Sequence, residues 1–79
     1  VRVKLRVREH MMGQLIDWFG KEFRIVQEDA DRLIISVVCN EMAMKYWALQ
    51  YGEYVEVLEP KSLREDICEA VDWMGSVYR

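Results

Sequence analysis

Residues that break or staple a chain are scarce here. In 79 residues there is one proline, four glycines, two cysteines and one histidine. The glycines are isolated from one another, which excludes a glycine-rich phosphate loop. So few breakers also leave little room for linkers, and residues 1–79 read as a single domain. Cys39 and Cys68 are too few for a disulfide framework and lack the spacing of a metal pair. Both lie in apolar patterns and read as buried, reduced thiols of a cytoplasmic protein. No apolar run is long enough for a membrane-spanning helix, and no charged-then-apolar leader opens the chain. It begins at Val1 and passes directly into alternation, so the expectation is a domain cut from a longer protein whose missing part lies on the N-terminal side.

Catalytic chemistry is missing as well. His10 has no evident nucleophile or orienting partner, and reads as a surface or capping residue. Ser36, Ser62 and Ser76 stand in no nucleophile motif. Glu28, Asp29 and Asp31 cluster, but the following Leu33–Val38 supplies almost no further oxygen ligands, so a solvated turn is the expectation rather than a calcium loop. An acylphosphatase-like use of Arg8 and Asn40 would need a cradle the sequence does not supply. The chain therefore reads as non-enzymatic, with no cofactor and no metal.

Apolar residues are plentiful: 52% of the chain, with three Trp. That is enough for a core and argues against disorder. The net charge of −3 hides an asymmetry. Arg2, Lys4, Arg6 and Arg8 are four bases with no acid among the first eight residues, whereas the remaining seven bases stand against all fourteen acids, a balance of −7. So acidic a body does not suit a general nucleic-acid binder.

Periodicity then lays out the elements. Val1-Arg-Val-Lys-Leu-Arg-Val-Arg alternates strictly, with Val1, Val3, Leu5 and Val7 on one face and the four bases on the other. Glu9–Phe19 is a helix, weakened by Gly13 and stopped by Gly20. Glu22–Gln27 is a second strand, Glu28–Asp31 a turn, and Arg32–Cys39 a third strand apolar on both faces, as a central strand would be. Asn40 caps a helix over Glu41–Tyr51, which Gly52 ends. Val55 and Val57 anchor a fourth strand. Ser62 and Glu65 form a capping box for a last helix, which buries Leu63, Ile67, Ala70, Val71 and Met74. The order β-α-β-β-α-β-α, with right-handed crossovers placing two helices on one sheet face, predicts an α+β fold: a ferredoxin-like βαββαβ sandwich with an added C-terminal helix.

On that fold the bases of the first strand run about 20 Å along the face opposite the helices. The sharp reading of Arg2, Lys4, Arg6 and Arg8 is an interface or an anionic-ligand face; the plainer one is cross-strand pairing, with Glu56 for example. RNA readout is not expected, because Ile34, Ser36 and Val38 offer no aromatic for base stacking. Trp18, Trp47 and Trp73 read as core or interface packing.

The segment Trp47-Ala-Leu-Gln-Tyr-Gly52, the strand Val55-Glu-Val-Leu-Glu-Pro60 and the following Lys-Ser-Leu63-Arg64 resemble the WCX domain, the C-terminal extension of WYL-domain transcriptional regulators. The resemblance implies a ferredoxin-like fold in a cytoplasmic bacterial regulator. Winged helix-turn-helix and WYL domains would lie upstream, and this extension would support effector sensing and dimer contacts. It implies no direct DNA reading by this segment; the acidic last helix departs from the family's denser Arg/Glu balance. Partners on this reading are the two upstream domains, a second copy and an anionic effector, with no membrane. The alternative is a small-molecule-binding or oligomerisation module of the ACT type attached to a metabolic enzyme. It is disfavoured because Arg8-Glu9-His10-Met11 holds none of the glycine such modules carry after their first strand.

Overall fold

The computed structural model describes residues 1–79. Its elements are β1 (Arg2–Arg8), a 3-10 turn (Glu9–Met11), α1 (Met12–Phe19), β2 (Phe23–Asp29), β3 (Arg32–Val38), α2 (Glu41–Gln50), β4 (Val55–Glu59) and α3 (Lys61–Val77). This is an α+β architecture, a four-stranded antiparallel sheet with three helices. The sheet order is β2-β3-β1-β4. β1 and β3 are thus central, which explains why β3 is apolar on both faces.

Alternation places Val3, Leu5 and Val7 of β1 and Leu33, Ile35 and Val37 of β3 in one core with Met11, Leu15, Met44, Trp47, Val57 and Leu63. Trp47 is fully enclosed, with Phe19 edge-on to it and Tyr51 tilted, each ring centroid 5.6 Å away. Enclosure of this kind supplies the main drive to fold a chain this short. Asn40 caps α2, its side chain accepting from the Ala43 N–H at 3.0 Å. Gly20 closes α1 at φ +81°, a conformation L side chains rarely adopt.

Several expectations are corrected. The acidic hairpin turn is narrower than Glu28–Asp31: β2 runs to Asp29, leaving Ala30 and Asp31 to turn, with Ala30 at φ +54°. β3 ends at Val38, one residue early. α2 ends at Gln50, one residue early, with Tyr51 as its C-cap and Gly52 directly after it. The Ser62–Glu65 capping box does not form, because α3 starts at Lys61 with Pro60 as N-cap, which puts Ser62 inside the first turn. Only Leu63 of α3 is buried; Ile67 and Ala70 are half-buried, and Val71 and Met74 are exposed where an open groove separates α3 from the end of α2. Cys39 is half-buried and Cys68 exposed, so the thiols are free but not both enclosed. Burial pushes the Cys39 thiol up. Of the three tryptophans only Trp47 is core; Trp18 and Trp73 are exposed.

The two sheet edges differ. α3 packs against β4 and α2. Its Arg64 donates to the Val57 carbonyl at 2.8 Å, and Asp66 meets Lys45 of α2 at 3.1 Å. β2 has no such cover: all its residues beyond Phe23 are exposed. Its pairing with β3 is interrupted by a bulge between Ile25 and Gln27.

Candidate interface on the sheet face

Because odd positions of β1 enter the core, Arg2, Lys4, Arg6 and Arg8 must share the opposite face, and the structure places them there. Each finds a partner. Arg6 stands opposite Glu56 in the β1–β4 register and donates to its Oε1 at 2.7 Å. Lys4, opposite Glu59, lies 3.6 Å from its carboxylate. Arg8 pairs with Asp31 in the β2–β3 turn. Arg2 has no carboxylate; it donates to the Ser36 hydroxyl at 3.2 Å. Cross-strand pairing with Glu56 is therefore present, and three of the four cations are locally matched.

Arg64 is the residue that strand alternation does not reveal. It reaches from α3 to Glu56 Oε2 at 2.8 Å, so Glu56 is held between two guanidinium groups. The Arg64 hydrogen bond, with Arg6 close by, keeps the Glu56 carboxyl below the ordinary glutamate range. Glu56 in turn raises Arg64. The hydrogen bond from Arg8 lowers Asp31 in the same way.

The same face carries apolar residues. Val26 and Val38 are 54% and 58% exposed, while Ile34 and Leu58 are half-buried. A second apolar surface lies at the far end of α3, where Val71, Trp73, Met74, Val77 and Tyr78 are all exposed. Val71, Met74 and Tyr78 join Tyr51 and Tyr54 around a groove of 570 Å³.

No arrangement for covalent chemistry stands out in the geometry. His10 packs edge-on to Tyr54 at 4.9 Å between ring centroids. The Asn40 side chain is engaged in capping α2. No three His, Cys, Asp or Glu side chains come close enough together to hold a metal ion. No helix is long and apolar enough to cross a membrane.

The structure thus defines a small two-layer α+β module with one sheet face bare and one covered by helices. The profile of the WCX domain matches residues 1–74, and the chain belongs to that family. No curated protein sequence matches it.

Proposed function

We propose that the chain is the WCX module of a bacterial, cytoplasmic WYL-type transcriptional regulator. It passes an effector or oligomerisation signal to upstream WYL and winged helix-turn-helix domains, and itself performs no catalysis and reads no DNA sequence. The observation that carries this reading is the WCX match over residues 1–74. An acidic body supports the exclusion of direct DNA reading. The bare sheet face, basic along the central β1 with apolar Ile34, Val38 and Val26 beside it, supports a role in contacts.

The topology is of the ferredoxin-like class on this reading. From the β4 edge the order is β4-β1-β3-β2, and each of α1 and α2 connects two strands that run parallel, separated by an antiparallel one. The ACT-like alternative draws no support of its own, since the turn after β1 is Glu9–Met11 and contains no glycine.

The test is the parent reading frame and its product. Winged helix-turn-helix and WYL segments upstream of Val1 are expected. Removing residues 1–79 from that product should leave promoter binding in place and abolish its response to effector. A metabolic enzyme upstream, or an unchanged response, overturns the proposal.

A further inference from the structure

The row of residues crossing the sheet at Ser36 differs from the rows beside it. In β-sheet register Ser36 faces Lys4 of β1 on one side and Arg24 of β2 on the other. Arg2, one step along β1, reaches back to the Ser36 hydroxyl at 3.2 Å. Three cations therefore surround one small polar side chain on the bare face. Arg2 and Arg24 form no ion pair, and Lys4 holds Glu59 only at 3.6 Å. By contrast, Arg6 and Arg8 are closely matched by Glu56 and Asp31.

The small side chain also leaves space. Two hollows meet at Ser36 and share Arg2. One, of 480 Å³, is bordered by Lys4, Val26 and Glu59. The other, of 370 Å³, is bordered by Arg24, Glu22 and Val38. The hydroxyl accepts from Arg2, so its own proton is free to donate outward. Two forked guanidinium groups and an ammonium offer donors suited to a tetrahedral oxyanion. The neighbouring carboxylates Glu22 and Glu59 leave a local excess of one positive charge. Val26 and Val38, both mostly exposed, flank the hollows with apolar surface for the remainder of a ligand. No aromatic side chain borders either hollow, save Phe23 at the core-facing edge, which does not suit a stacked single strand.

We infer that Arg2, Lys4, Arg24 and Ser36 form a binding site for the phosphoryl group of a small phosphomonoester. The inference rests on the effector-sensing part of the proposed function and names the chemistry of that effector. It is tested by direct binding, which does not depend on whether the parent protein regulates transcription.

The experiment is an NMR titration of the 79-residue chain with inorganic phosphate and with glycerol 3-phosphate, against sodium chloride at matched ionic strength. Saturable shifts confined to the backbone amides around Ser36, Arg24 and Lys4 are expected. Arg24→Gln should weaken binding about tenfold. Ser36→Ala, which keeps every charge, should weaken it several-fold. Arg79→Gln, distant from the site on the chain's last residue, should change nothing. Shifts no larger than those from chloride overturn the inference. So do shifts spread evenly over the basic residues, or binding that survives Arg24→Gln and Ser36→Ala in chains whose spectra remain folded.

Discussion

Arg64 of α3 and Glu56 of β4 are joined at 2.8 Å, and the same guanidinium nitrogen lies 2.8 Å from the Val57 carbonyl. One side chain thus fastens the third helix to both a side chain and the backbone of the edge strand. Because Glu56 also receives Arg6, the contact ties β1, β4 and α3 together.

This tie should depend on pH. The Glu56 carboxyl titrates below its ordinary range in the folded chain, so its ionised form is favoured by folding. The contribution is complete above the ordinary glutamate range, about pH 4–5, and is lost as pH falls through the lower folded value. Asp31, lowered by Arg8, acts in the same direction. Both pairs are solvent-exposed, and the Glu56 contribution is accordingly about 0.5–1 kcal/mol. Urea unfolding at pH 7 and pH 3.5 should show lower stability in acid, and Glu56→Gln should flatten that slope.

The core and the far end of α3 should respond very unequally to truncation. Trp47 is fully buried, and its indole N–H has no partner. Trp47→Ala should cost about 3–5 kcal/mol, against a total of about 4–12 for a chain of this length. Trp47→Phe removes the unpaired donor together with the lost volume and should cost only about 1–2 kcal/mol. Leu63→Ala should cost about 2–4 kcal/mol. Val71→Ser, at an exposed position of the same helix, should stay within about 0.5 kcal/mol. Circular dichroism through a urea series compares all four.

Helix starts offer a sharper contrast. Asn40→Ala removes the acceptor at Ala43 and should cost about 1 kcal/mol. Ser62→Ala should cost almost nothing, since Ser62 lies inside α3 and makes no capping bond. Equal losses at both positions would restore the capping box that Ser62 and Glu65 spell out.

Glycine sits where it is not needed and is missing where it would help. Nothing lies within 4 Å of a Cβ built at Gly13, inside α1, so Gly13→Ala should raise stability by about 0.5–1 kcal/mol. Ala30 turns the β2–β3 hairpin at φ +54°, and Ala30→Gly should gain about 1 kcal/mol by relieving that strain. Thermal melts of the two variants would show both rising.

Every strand and helix was legible in the sequence, because β1 alternates without exception, α1 and α3 carry an apolar stripe, and Asn40 and Gly52 bracket α2. The central place of β3 followed from its two apolar faces. The ends were less legible. Ser62 and Glu65 have the spacing of a cap, but local spelling does not fix where a helix begins when Pro60 can take the cap position. Val71 and Met74 continue the apolar stripe of α3, and a stripe does not say how far the neighbouring layer extends. At the sheet face, Arg2, Lys4, Arg6 and Arg8 could be placed together, and Glu56 named as a partner for one of them. Arg24, Glu59, Asp31 and Arg64 required the strand order, the register and the packing of α3, which bring residues up to 55 positions apart into contact.

The difference between the two borders of the sheet limits how such chains could join through their backbones. With α3 beside β4 and its Arg64 on the Val57 carbonyl, β2 is the more open side for a further strand. Each chain could add one neighbour through that side. Strand addition at β2 would join two chains edge to edge and leave each β4 border beside its own α3, which already holds the Val57 carbonyl.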